Sequence, residues 1–576
     1  MRGSLPLMVF ATIAMTMIPA MTESSLKPMI EQFAADVESI ERKYETPFSK
    51  MGEDRLRKFF QDERSLLSRQ NFGALNRDGQ VDYLLFDSYL RHRMRQMEIA
   101  DKQFDEIRQF VPFAETITNL EDNRILGKAL DAEKAAQIVN ELKKSVDETK
   151  SNIETRMRTE TFKRTTANRA SMAVSRLRSA LETWFKFYDG YVPTFGWWVS
   201  APFKSADEAL AGYARFLRET VAKIPPGNDN FIVGDPIGRE ALLEELKFEM
   251  IPYTPEELVQ IANKEFAWCQ SEMIKASREM GCGDDWKRAL EIVKEDHVDA
   301  GQQTELVRRL AEEAIKFVED RDLVTIPELA KETWRMEMMS PQMQLVNPFF
   351  LGGDTIMVSY PTDAMSQDQK MMSMRANNVH FSRATVFHEL IPGHNLQQFM
   401  NARYAQYRRI FSTPFWTEGW ALYWEMLMWD LGFPKSPQNR VGMLFWRMHR
   451  CARIIFSLGF HLETMTPDQC IELLVDKVGH ERSSAEAEVR RSLSGAYPPL
   501  YQCAYMLGAL QFRSLHHEFV DSKKMTDKQF HDRILQSGNM PVAMIRALFG
   551  DGKLSKDFDA AWRFYDLAAQ NGPKSK

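Results

Sequence analysis

One helix-start signal occurs three times in this chain, and it constrains the fold more than any other feature. At Thr254-Pro255-Glu256-Glu257 a threonine can cap the first free amides. The proline after it lacks an N–H where none is needed, and a glutamate three residues past the cap can bond back to it. Thr466-Pro467-Asp468-Gln469 repeats the arrangement, with Gly479 as a stop, and Thr526 to Gln529 is a third instance. Between such points, stretches such as residues 307–317 carry apolar side chains at helical spacing with charges on the opposite face. The pattern predicts a mainly α chain with many helices. One exception stands at Thr355-Ile356-Met357-Val358-Ser359-Tyr360, which follows Gly352-Gly353 and is rich in β-favouring residues. It predicts a short strand.

At 576 residues there is ample chain for a large core. A coarse division gives residues 1–20 as a signal peptide, 21–330 as a helical N-terminal part and 331–576 as the part carrying the chemistry, continuous with the part before it. A net charge of -6 is small for this length, so no basic field draws the chain to nucleic acid. Arg2 precedes an apolar run over residues 5–20, followed by the polar Thr22, Glu23, Ser24 and Ser25. That is the layout of a secretory signal with cleavage near Ala20. The alternative is an uncleaved N-terminal membrane anchor, but the run is shorter than the ~20 apolar residues that span a bilayer. No cysteine follows it to carry a lipid. The expected location is therefore secreted or periplasmic, with no stable membrane insertion once the signal is removed. The five cysteines include no C-x-x-C pair. They read as buried thiols with room for one bridge, for which Cys269 and Cys282 are the nearest neighbours in sequence.

The chemistry concentrates in His388-Glu389-Leu390-Ile391-Pro392-Gly393-His394. In an H-E-x-x-H helix two histidines four residues apart share a face and bind zinc, while the glutamate activates water. Here the second histidine is two positions later, about 120° around an unbroken helix from the first. Pro392 and Gly393 predict that the helix bulges or ends, so that His394 turns back toward the metal. A third ligand is expected from Trp416-Thr417-Glu418-Gly419-Trp420-Ala421-Leu422-Tyr423-Trp424-Glu425. Glu418 and Glu425 lie seven apart, nearly on one helical face, in surroundings where an unpartnered carboxylate is costly. One should meet the metal and the other a histidine outside the ring of ligands. His92, His297, His480 and His531 read as ordinary structural histidines.

These residues resemble a known family, the bacterial proteins catalogued as domain of unknown function 885, which are similar to gluzincin zinc metallopeptidases. The segment from His388 through Asn395-Leu396-Gln397 resembles the family's H-E-x-x-P-G-H-x-x-Q signature, and Glu418-Gly419-Trp420-Ala421-Leu422-Tyr423 its E-G-W-A-x-Y segment. Fainter similarity runs through Tyr253-Thr254-Pro255-Glu256-Glu257-Leu258, Gly459-Phe460-His461 and Gln502-Cys503-Ala504-Tyr505-Met506-Leu507-Gly508. Two departures are Ser457, where an acidic residue is usual, and Pro499-Leu500-Tyr501-Gln502, where the family reads P-G-Q.

The resemblance implies a metallopeptidase-like helical fold and Zn2+ held by His388, His394 and Glu418. It also implies peptidase activity, for which Glu389 is the expected general base. Tyr505 is the first choice as donor to the developing oxyanion and His461 the second. The favoured substrate is a short peptide, cut as by a carboxypeptidase or dipeptidase, with Arg490 and Arg491 as candidates to hold a terminal carboxylate. The alternatives are a zinc oligopeptidase or endopeptidase without end selection, or a non-catalytic peptide-binding relative. The strand near residues 355–360 is a candidate edge for pairing with substrate backbone.

Overall fold

The computed structural model describes residues 24–228, 231–344, 347 and 349–568. The apolar run at residues 5–20 lies outside them. Among the described residues regular structure is almost all helical, from Lys27–Lys43 to Val542–Phe549, with one small two-stranded sheet. All three predicted helix starts form capping boxes, with Thr254, Thr466 and Thr526 each accepting from the amide three residues on. Gly479 ends its helix at φ +90°, a left-handed conformation that favours glycine. No helix among the described residues is long and apolar enough to cross a membrane.

The principal core draws on residues 26–90, 242–330 and 381–564, so it spans both sides of residue 330; a second core occupies residues 107–233. Fully buried Arg408 helps to lock distant segments together. It donates to Asp82 from Nε at 2.7 Å, to Asp78 from Nη2 at 3.0 Å and to the Ser537 carbonyl from Nη1 at 2.7 Å.

The predicted strand is shorter than expected and is not an open edge. Strand β1, Arg335–Met338, pairs in parallel with β2, Thr355–Val358. On the other side, the Met357 amide and carbonyl both bond to Leu351, at 2.7 and 3.1 Å. Ile356 and Val358 instead pack with Val386 and Leu390, against the end of the helix that carries His388.

At the centre of the fold lies the Glu418 helix, Pro414–Asp430. Trp416, Trp420, Tyr423 and Trp424 are buried around it on every side, as expected of a helix without a solvent face. Proline opens it, and the Thr413 side chain caps it by accepting from Phe415 N at 3.1 Å. It packs against the tyrosine helix, Tyr501–His516, where Gly419 meets Gly508. A Cβ on Gly508 would lie 2.3 Å from the Phe415 carbonyl oxygen and 2.8 Å from Gly419 Cα, so only glycine permits this approach.

Gly508→Ala should therefore destabilise the protein by about 1–3 kcal/mol through overpacking, despite the ~1 kcal/mol by which alanine favours a helix. Gly212, within helix Pro193–Phe216, has nothing near its missing Cβ, so Gly212→Ala should be neutral or stabilising. Denaturant unfolding of the two variants tests the contrast.

Glu249 is buried and accepts from the Thr413 hydroxyl at 2.5 Å. Burial pushes its carboxyl up to about 8, with the Thr413 bond opposing and Glu245 adding to the rise. The folded protein thus binds this proton more tightly than the unfolded chain. The stability it contributes should be complete below pH ~4.5 and lost as pH rises toward 8. In Glu249→Gln that part of the pH dependence should disappear, as unfolding measured at a series of pH values would reveal.

Candidate metal centre

The helix Val379–Glu389 stops one residue past His388, and a new helix, His394–Asn401, starts at the second histidine. The four residues between reverse the chain, with the Gly393 amide bonded to the Phe387 carbonyl at 3.0 Å. A Cβ at Gly393 would stand 1.9 Å from the His388 carbonyl oxygen, so this reversal requires glycine. Trp420 Nε1 donates to the Pro392 carbonyl at 2.9 Å and Gln397 Nε2 to the Trp416 carbonyl at 3.1 Å, tying the turn to the Glu418 helix. The rings of His388 and His394 consequently face each other with centroids 4.9 Å apart, nearly perpendicular.

Glu425 Oε1 accepts from His388 Nδ1 at 2.7 Å, which fixes the ring and leaves Nε2 turned toward Glu418. Glu418 Oε2 lies 3.7 Å from His388 Nε2 and 3.2 Å from His394 Nε2, and it is buried without a hydrogen-bond partner. Tyr501 donates to the other oxygen, Oε1.

Burial opposes charge on His388, but the nearby Glu418 carboxylate and the hydrogen-bonded Glu425 outweigh it and push the imidazole up to about 9. Burial likewise opposes ionisation of Glu418, yet His394 and His388 hold its carboxyl well below the usual range. Two nitrogens and one oxygen, one from each residue, lie within 4.8 Å of one another. Ligand–metal bonds of about 2.0–2.2 Å in a tetrahedron place donor atoms roughly 3.3 Å apart, close to the two distances to Glu418 Oε2. The cluster fits a small divalent cation with mixed nitrogen and oxygen preference, and the orphaned oxygen is the atom such a cation would satisfy.

The cluster opens on a cleft of about 280 Å³ lined by Glu389, Tyr501 and Tyr505, among others. Glu389 is partly exposed to it, and burial raises its carboxyl above the ordinary value against the opposing pull of the two histidines. Gly352 presses on this side chain. A Cβ there would lie 2.1 Å from Glu389 Oε2 and 2.6 Å from its Cβ, so any larger residue would displace the carboxylate. The Tyr505 ring lies nearly parallel to His388 at 6.3 Å.

Of the expected site residues, His388, Glu389, His394, Glu418 and Tyr505 come together, with Glu425 behind His388. His461 does not line the cleft. It ends helix Pro437–His461, about 12 Å along the axis beyond Arg453, and burial draws its imidazole down to about 4. Arg491 lines the cleft and Arg490 does not.

Sequence reasoning passed over Tyr501, Gly352, Arg450 and Arg453. Tyr501 had one signal, since it falls where the chain departs from P-G-Q. The four histidines read as structural lie outside the cluster. His92 stacks on Phe248, His297 meets the Val298 carbonyl, His480 bonds His449, and His531 bridges the Tyr423 hydroxyl and the Leu323 carbonyl. All five cysteines are free thiols, and Cys269 neighbours Cys451 instead of bridging to Cys282.

Several solved structures share this fold. A candidate lipoprotein of unknown function from Shewanella oneidensis aligns with a TM-score of 0.67 and 18% identity over 91% of this chain and 100% of its own. A candidate lipoprotein from Colwellia psychrerythraea aligns at 0.58 and 16%, over 91% and 97%. At such identity the likeness is one of fold alone. No curated protein matches the chain. The family model described as "Bacterial protein of unknown function (DUF885)" matches residues 33–548, which include both metal-motif segments and the tyrosine helix, and this chain therefore belongs to the DUF885 family.

Proposed function

We propose that the protein is an exported zinc-dependent peptidase that hydrolyses short peptides. The observation that carries this reading is the position of Glu389, beside two imidazoles and an orphaned carboxylate oxygen at the wall of a small cleft. Export is supported by the apolar run at residues 5–20 and by the lipoprotein descriptions of the Shewanella and Colwellia structures. Without a cysteine after the run, soluble release after cleavage near Ala20 is the form proposed.

His388, His394 and Glu418 would hold the zinc. When bound, zinc supplies a Lewis acid that lowers the pKa of water to about 7 and polarises a carbonyl. Glu425 keeps the His388 ring oriented, and Tyr501 does the same for Glu418. Glu389, its proton affinity raised by burial, takes a proton from the attacking water at a carboxylate oxygen and returns it to the leaving amine nitrogen. The Tyr505 hydroxyl donates to the carbonyl oxygen as negative charge gathers there. The cleft volume favours peptides of a few residues over folded protein.

Purified protein should carry about one zinc per chain. Glu389→Gln should keep that metal and lose activity by 10²-fold or more, whereas Glu418→Ala should lose the metal. Elemental analysis beside a peptide assay separates the roles, and a Glu389→Gln protein that lost its zinc would reverse them.

The two cleft tyrosines should differ in kind. Tyr505→Phe should lower kcat on the order of 10²- to 10³-fold with KM nearly constant, because its bond forms only in the transition state. Tyr501→Phe should instead weaken zinc affinity about 10- to 100-fold, since its hydroxyl orients a ligand. Steady-state kinetics and competition with a chelator read the two effects.

A further inference from the structure

The wall of the cleft next to Tyr505 is cationic beyond what the protein itself neutralises. Helix Pro437–His461 turns Arg450 and Arg453, three residues apart, to one face, and helix Arg482–Leu493 contributes Arg491. All three line the cleft, and of the carboxylates that line it with them, Glu389, Glu418 and Glu488, the one ion-paired to any of the three is Glu488. Arg453 takes that carboxylate, with Nε donating to Glu488 Oε1 at 2.7 Å, and Arg491 turns its Nε to the Tyr497 hydroxyl at 3.1 Å. Arg450 makes no ion pair or hydrogen bond among the described residues and its Nε is buried without a partner, although it is only 6% exposed; the carboxylates of Glu425, Glu418 and Glu389 act on it only from a distance. Its guanidinium lies against aromatic faces, 4.5 Å from the Tyr505 ring centre and 5.3 Å from that of Trp446. Arg453 Nη1 is also buried without a partner. A buried guanidinium without a partner is costly, and planar donors in this number match a carboxylate.

Tyr505 relates this wall to the candidate metal cluster, with one face near His388 and the arginines close to its ring. One or two extended residues, at roughly 3.5 Å each, span such a gap. We propose that Arg450, supported by Arg453 and Arg491, binds the C-terminal carboxylate of the peptide, so that one or two residues are removed from its C-terminal end. The inference rests on reading the cleft as a peptidase site, and it places the anion-binding role on Arg450, not on Arg490.

The full mature chain carrying Glu389→Gln and loaded with zinc allows binding to be measured without turnover. Calorimetric titration should show a tetrapeptide acid binding on the order of 10²-fold more tightly than its C-terminal amide, while N-acetylation changes little. Adding Arg450→Gln should remove the preference for the acid at unchanged zinc content and with an unfolding midpoint no lower than before. Equal affinity for acid and amide, or no measurable binding of either, overturns the proposal even if Arg450→Gln fails to fold. So does an amidated peptide with a glutamate side chain that binds as tightly as the free acid, which would make a side-chain carboxylate the true ligand. The unsubstituted enzyme separates this inference from the reading beneath it. Equal hydrolysis of acid and amide keeps the peptidase and refutes the carboxylate site, whereas acid-selective binding without hydrolysis refutes the peptidase and keeps the site.

Discussion

At Gly419 and Gly508 two buried helices touch backbone to backbone, and the positions of Glu418, Tyr501 and Tyr505 in the cleft depend on that contact. The Glu418 carboxylate stands one residue before the first glycine, and Tyr501 and Tyr505 lie within two turns of the second. Were the helices separated by ordinary side chains, the axes would stand farther apart and the Tyr501 hydroxyl would not reach Glu418 Oε1. The ring of buried tryptophans around the Glu418 helix holds the contact in place, because a close-packed interior resists the shifts that a looser one would absorb.

Glycine serves the opposite side of the site in the same way. Gly393 lets the chain fold back on the end of the His388 helix, and Gly352 lets another backbone segment lie directly on Glu389. That second segment is held by the sheet, through the antiparallel bridge from Leu351 to Met357. A small two-stranded sheet in a helical protein therefore has a specific consequence, which is to press the backbone against the proposed base and confine its carboxylate.

The charges divide the cleft into two ends. Around His388 and His394 the carboxylates Glu389, Glu418 and Glu425 make a basin for a cation, while Arg450, Arg453 and Arg491 outnumber Glu488 at the other end. The carboxyl of Glu488 is held down to about 2, burial being outweighed chiefly by Arg453 and Arg491. In the proposed reading, such an arrangement would orient a substrate with a reacting carbonyl toward one end and a terminal anion toward the other before any chemistry occurs.

Local rules carried much of this into the sequence. The capping boxes, the break at Pro392-Gly393, the strand after Gly352-Gly353 and the 418–425 carboxylate pair depend on neighbours within one or two turns, which a sequence displays directly. What the sequence could not display depends on residues far apart in the chain. Whether a glycine is spacious or obligatory is settled by what packs against it, so Gly212 and Gly508 look alike until Phe415 and Gly419 are placed. Arg450 resembles any helical arginine until Tyr505 and Trp446 cover it and no carboxylate arrives. His461, next to a segment with family resemblance, falls outside the cleft because its helix runs two turns beyond the site. Short-range hydrogen bonding and backbone preference were thus fixed by the sequence itself; the proximity of its charges and the closeness of its helices were decided only by tertiary packing, because both depend on distances that chain order does not encode.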